Sequence, residues 1–163
     1  MDIRKIYEYA LGREREGKRF FEENALRLTH AAAVDAFQRL AGEEQKHIEY
    51  IQKHLATLEL GKSDEVVDVV PLGDAIFFSQ RALSEAIDQK VAEAMVPDLP
   101  VLRMAYLIER DFAEFYEMAA SKTEGHARDV LLNLAYWERN HERLFKQYHD
   151  RAFEIYAQMP WGG

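Results

Sequence analysis

The sequence predicts an all-α domain: a bundle of four long helices with one long crossover that carries an extra short helix. Three observations predict it. Apolar residues recur at spacings of three, four and seven through four long segments, the period of helices that bury one face. Glycine and proline, which interrupt helices, are few and sit mostly at the joints between those segments. The segment LAGEEQKH at 40–47 is echoed by LAYWERNH at 134–141, 94 positions later, so the chain reads as two copies of one helix pair.

The first helix is expected from Asp2, a capping residue, to about residue 28. Its inward face reads Tyr7, Leu11, Glu14, Gly17, Phe21 and Leu28. The second, at about 32–60, carries Phe37, Leu40, Glu44, His47, Ile51, Leu55 and Leu58, and Gly61 supplies its stop. Residues 61–73 read as an extended crossover. A shorter helix then runs from a cap at Asp74 to about residue 95, with Ile76, Leu83, Ile87 and Ala94 on one face. Pro97 and Pro100 break it, and Asp98 is the expected cap of the third long helix, which runs to about residue 122. That helix turns Leu102, Ala105, Glu109, Phe112, Tyr116 and Ala119 inward. Gly125 marks a tight turn. The last helix presents Val130, Leu134, Glu138, His141, Phe145, Tyr148 and Ala152 and fades near residue 159. Two short joints make antiparallel neighbours, and the 61–98 link lets the third long helix start at the same end as the second. The whole chain, 1–163, is expected to form a single domain with 61–98 as an insertion.

The repeat also carries the chemistry. Each copy ends in Glu-x-x-His, Glu44 with His47 and Glu138 with His141, and each follows an isolated glutamate on the preceding long helix, Glu14 and Glu109. Residues three apart on a helix are surface neighbours, so each pair can meet one metal ion. Four glutamates aimed into an apolar bundle would repel one another and suffer heavy desolvation. Two divalent ions cancel those four charges and leave the histidines neutral as ligands. Carboxylate-rich sites suit iron or manganese, whereas zinc favours histidine and cysteine. One Glu-x-x-His arises easily by chance; two, on matched faces with matched upstream glutamates, do not. Solvated outer faces would not be surrounded by apolar residues at helical offsets, as these six are.

Bulk composition sets the other limits. With 48% hydrophobic and 31% charged residues, the chain is a globular sequence rather than a disordered one. A net charge of −8 argues against nucleic acid and anionic membrane surfaces as partners. The absence of cysteine excludes disulfides, thiolate nucleophiles and cysteine-ligated iron centres within these 163 residues. No run approaches 18 consecutive apolar residues, and the charged amphipathic N-terminus does not read as a signal peptide. The expected location is therefore the cytoplasm.

On these motifs the chain resembles the rubrerythrin branch of the ferritin-like superfamily. LAGEEQKH is similar to that family's second-helix motif and LIERDFAEFY, at 107–116, to its third. The resemblance spans nearly the whole chain apart from about 61–98. It implies a ferritin-like four-helix bundle with Glu14, Glu44, His47, Glu109, Glu138 and His141 as ligands to two iron ions, manganese or a mixed pair being alternatives. Glu44 and Glu138 would bridge; Glu14 and Glu109 would be terminal. The implied activity is reduction of hydrogen peroxide or oxygen in oxidative-stress defence, the alternative being ferroxidase chemistry in an iron-storing or iron-handling assembly. Rubrerythrins usually carry a rubredoxin-like module, which a chain without cysteine cannot, so a separate electron-donor protein is implied. They also carry an extra glutamate three residues after the third-helix ligand; here that position is Phe112, and the remaining six-ligand set resembles bacterioferritin's equally well. A homodimer or larger homo-oligomer is expected.

Other residues read as packing or surface. Gly17, one turn after Glu14, either leaves space for a small oxidant beside the metals or permits close helix packing. Together with Phe112 it is the candidate for substrate access. Tyr7, Phe21 and Tyr116 are expected in the core, and Trp137 in bundle packing or an interface. His30, His54, His126 and His149 lack a glutamate three residues before them and read as surface or satisfied histidines. Met95, Met104 and Met118 read as core filler.

Overall fold

A computed structural model describes residues 2–60 and 89–160. Its helices are α1 (Ile3–Ala25), α2 (Ala31–Glu59), α3 (Gln89–Ala94), α4 (Leu99–Ser121) and α5 (Gly125–Gln158), with a single 3-10 turn at Val96–Asp98 before α4. No strand occurs among the described residues. The fold is an all-α, ferritin-like helical bundle. The expected stop at Gly61, the extended stretch at 61–73 and the Asp74 cap lie outside the described residues; α3 is the last turn and a half of the expected crossover helix.

Two helical hairpins make the bundle, α1 packed on α2 and α4 on α5. Their inward faces form two apolar clusters at opposite ends. One gathers Tyr7 and Ala10 of α1, Ile51 and Leu55 of α2, Phe112 and Tyr116 of α4, and Val130, Leu131 and Leu134 of α5. The other gathers Phe21 and Ala25, Phe37 and Leu40, Leu102 and Ala105, and Phe145 and Ala152. Along the chain, α1 and α5 run from the first cluster to the second, while α2 and α4 run the other way. That is the topology a long crossover between α2 and α4 requires. The residues between the clusters in all four helices are polar, and they form the site described below.

The helix ends show where local chemistry departs from the simplest reading. Asp2 caps α1, its carboxylate accepting from the Arg4 and Lys5 amides at 3.1 and 3.5 Å. The helix stops at Ala25 rather than near residue 28, and Leu28 reaches the core from the loop. The early stop frees the Thr29 and His30 amides, which donate to the buried carboxylate of Asp98 at 3.0 and 3.3 Å; the Thr29 hydroxyl adds a third bond at 3.1 Å. Asp98 therefore does not cap α4 with its side chain, as its position before Leu99 suggested. It ties the α1–α2 loop to the start of the second hairpin. His30 in turn caps α2, its Nδ1 accepting from the Ala32 amide at 3.2 Å. Gly125 opens α5 at φ +63°, a conformation glycine adopts without strain. Met95 is core, as expected, but Met104 and Met118 lie half exposed on α4 because their positions fall off its buried stripe.

Candidate metal centre

Each long helix delivers its polar residue to the same level of the bundle. Glu14 comes from α1, Glu44 and His47 from α2, Glu109 from α4, and Glu138 and His141 from α5. All four glutamates are fully buried, and the two histidines are 3% and 5% exposed. Helical spacing places each histidine one turn beyond its glutamate, and the apolar residues one turn either way press the set into the core.

The six side chains converge with an approximate two-fold symmetry. His47 Nδ1 lies 3.2 Å from Glu14, 3.4 Å from Glu44 and 2.9 Å from Glu138. His141 Nδ1 lies 3.4 Å from Glu109, 3.3 Å from Glu138 and 3.5 Å from Glu44. Each imidazole thus faces its own helix's glutamate, the other repeat's glutamate and one isolated glutamate. The two rings are nearly parallel, 5.4 Å apart. Two overlapping groups emerge: Glu14, Glu44, His47 and Glu138, then Glu44, Glu109, Glu138 and His141. Within each, one ligating atom per residue lies within 4.8 Å of all the others. Glu44 and Glu138 belong to both.

These close approaches are poorly directed as hydrogen bonds. Both oxygens of Glu44, Glu109 and Glu138, and Nδ1 of His141, are buried without a well-aligned partner, although Glu138 is only 2.9 Å from His47. Buried carboxylate oxygens are normally bonded, since an unpaired one forfeits its hydration. Six carboxylate oxygens and one imidazole nitrogen facing one another in this way make an oxygen-rich set that could hold metal.

Electrostatics say the same from the proton's side. Burial, then the charges of Glu138 and Glu44, pushes the carboxyls of Glu14 and Glu109 well up. Burial also opposes ionisation of Glu138, but the adjacent His47 and His141 outweigh it and hold that carboxyl far below the usual range. Glu44 is lowered too, burial and Glu138 being outweighed by the neighbouring Glu14 carboxyl and the charge of His47. Burial would lower both imidazoles; the surrounding carboxylates instead raise them well above their ordinary value. Without metal, Glu14, Glu109 and the two imidazoles are thus biased toward their protonated forms and Glu44 and Glu138 toward carboxylate. Divalent ions would take the place of the protons on those groups.

Three neighbours complete the set's surroundings; Gly17 was assigned to it from sequence as a candidate for substrate access, whereas Tyr116 and Trp137 were not. The Tyr116 hydroxyl donates to Glu14 Oε1 across the bundle; its place on the Glu109 face gave core burial but no partner. The Trp137 indole stacks on His47 at 5.0 Å and 16°. Gly17 lies against the Phe112 ring: a Cβ there would come within 2.8 Å of the ring and 3.8 Å of Glu44 Oε2. Close packing is thus the immediate reason for the glycine. Arg13 covers the outer face of the same ring at 4.6 Å, and outside lies an open pocket of about 230 Å³ lined partly by Arg13, Gly17, Asp111 and Phe112. The other histidines stand apart from the set. His54 is fully buried rather than on the surface, and His149 pairs with Asp150 at 3.0 Å. Among the described residues, no helix is long and apolar enough to cross a membrane.

A four-helix bundle with a central cluster of buried glutamates and histidines that could hold metal defines a class of carboxylate-bridged metal proteins. Residues 5–149 match the rubrerythrin family, and the chain belongs to it. No curated protein and no solved structure matches the chain.

Proposed function

We propose that this chain is a non-haem di-iron oxidoreductase that reduces hydrogen peroxide or oxygen in oxidative-stress defence. The observation that carries the reading is the pair of overlapping four-residue groups sharing Glu44 and Glu138, in which the oxygens of Glu44, Glu109 and Glu138 are buried without a partner. Glu14 and His47 would hold one ion and Glu109 and His141 the other, with Glu44 and Glu138 bridging. When bound, a ferrous pair supplies two electrons and an open coordination position for a small oxidant. The chain's residues do the rest. Four glutamates balance the charge of two divalent ions, and Tyr116 fixes one oxygen of Glu14. The flanking apolar clusters exclude bulk water. Gly17 and Phe112, which separate the outer pocket from Glu44, are the proposed access for the oxidant. No cysteine-ligated iron centre can lie within these 163 residues, so the reducing electrons are proposed to arrive from a donor outside them. Manganese or a mixed pair would satisfy the same donors.

One observation favours a second reading, a ferroxidase or iron-handling subunit. Position 112 offers a buried phenyl ring against Gly17 rather than a further carboxylate, which leaves the six-ligand set. Anaerobic titration with ferrous iron, followed by peroxide or oxygen in separate runs, tests both. Saturation at roughly two irons per chain, with near-ultraviolet absorption growing faster with peroxide, supports the peroxidase. Faster oxidation by oxygen, with a cage or ring on a sizing column, supports the ferroxidase. No saturable uptake by the wild type overturns both.

A further inference from the structure

Four residues, three of them read as packing or surface from the sequence and the fourth, Tyr50, given no role there, form a line of touching rings that begins at His47. Trp137 stacks on His47 at 5.0 Å; Tyr50 meets Trp137 edge-on at 5.1 Å; His54 meets Tyr50 edge-on at 4.7 Å; His126 meets His54 at 5.4 Å. His126 is partly exposed in the first turn of α5. The line therefore runs between α2 and α5 from the metal centre to one end of the bundle.

We propose that this ring series carries single electrons between the metal centre and a donor docked at the His126 end, an inference that rests on the redox reading above. Three observations set it apart from ordinary packing. The fully buried rings at the opposite end of the bundle, Phe21, Phe37 and Phe145, do not readily give up an electron, and the tyrosines there, Tyr106 and Tyr148, pack at the cluster's margin. Trp137 is buried with its indole N–H unpartnered, so a hydrogen bond is not what selects tryptophan over phenylalanine. Nor does the repeat impose it: the residue before Glu44 is Glu43, partly exposed and paired with Lys46, where the residue before Glu138 is Trp137. One imidazole of the pair thus has an oxidisable ring beside it, and the other does not.

The transfer balances as follows. One electron leaves a reduced iron–sulfur or flavin protein, which is oxidised by one, and one arrives at the metal centre. Trp137 and Tyr50 are the oxidisable carriers between. Each carrier gives one electron toward the metal centre and is re-reduced by one from the donor side. Two such passages restore a centre that has given two electrons to peroxide.

The absence of native cysteine allows a ruthenium polypyridyl photosensitiser to be attached at one chosen place, Asp129→Cys beside His126 or Gln38→Cys at the opposite end. In metal-free protein, photo-oxidation from position 129 is expected to give a tyrosyl or tryptophanyl radical by freeze-quench electron paramagnetic resonance. Tyr50→Phe and Trp137→Phe, which keep the ring packing, are expected to remove most of it. In oxidised iron-loaded protein, photo-reduction from position 129 is expected to slow by about tenfold or more in either variant, ~1.4 kcal/mol of barrier. Reduction from position 38 should not change. An unchanged radical yield in both variants overturns the relay whether or not iron binds. A failure of iron uptake instead sinks the proposed function, and the metal-free arm still decides the relay.

Discussion

At the scale of single residues, the centre is held by contacts that cross between helices, and Tyr116 is the plainest of them. Its hydroxyl is the one donor that reaches Glu14 Oε1, while His47 faces Oε2 at 3.2 Å. Tyr116→Phe keeps the ring in the core and leaves that buried oxygen unpaired. Such a loss destabilises a protein by about 1–3 kcal/mol. Denaturant unfolding of the metal-free variant should show it as a lower midpoint with unchanged slope. Iron affinity should also weaken, because Glu14 is then free to rotate. A variant as stable as the wild type, binding iron equally well, would mean the contact positions nothing. Glu14, Glu44, His47, Glu109, Glu138 and His141 all sit on faces whose burial was legible in the sequence, since each has apolar neighbours at helical offsets. The partners of Glu14 and His47 were not. Period tells which side of a helix is buried, but not which residue of a second helix lies at the same depth.

At the scale of helices, the ends carry what periodicity does not encode. Asp98 preceded a proline-containing helix start and read as its cap, yet its carboxylate accepts three bonds from Thr29 and His30, nearly 70 residues earlier in the chain. A long-range acceptor and a local cap have the same sequence signature, an aspartate before a helix. The three bonds satisfy amides at the α1–α2 joint, where a helix start leaves donors exposed. Asp98→Ala removes all three inside a site that is 2% exposed. The expected loss is about 2–4 kcal/mol, given ~1 kcal/mol per bond plus stranded donors. Hydrogen exchange should report it locally, with protection falling first at the start of α2 and of α4. Uniform loss of protection across the bundle would show instead that the loop is not separately held. Arg139 with Glu117 and Arg110 with Glu142 tie α4 to α5, and Arg139 also pairs with Glu142 within α5. The Arg139–Glu117 pair is solvent-accessible enough that its contribution is small, whereas Glu142 is buried.

At the scale of the molecule, a slab of four carboxyls and two imidazoles divides one core into two, and its protonation decides how stable the metal-free bundle is. Glu14, Glu109, His47 and His141 have raised affinities for protons in the folded state. Their contribution is complete below the unfolded values, about 4.3 for glutamate and 6.5 for histidine, and is lost as pH rises through the raised ones. Glu44 and Glu138 are lowered, so theirs is present above about 4.3 and lost as pH falls through the depressed values. The metal-free protein should therefore be most stable on the acid side of neutrality and weaken toward alkaline pH. Divalent ions compete with the protons held by these raised groups, so loading should reverse that trend and release protons. Calorimetric titration in two buffers of different ionisation enthalpy counts those protons, and thermal melts across pH with and without ferrous iron follow the reversal. Equal heats in the two buffers, or metal-free and loaded curves of the same shape, would show that the six side chains do not exchange protons for metal.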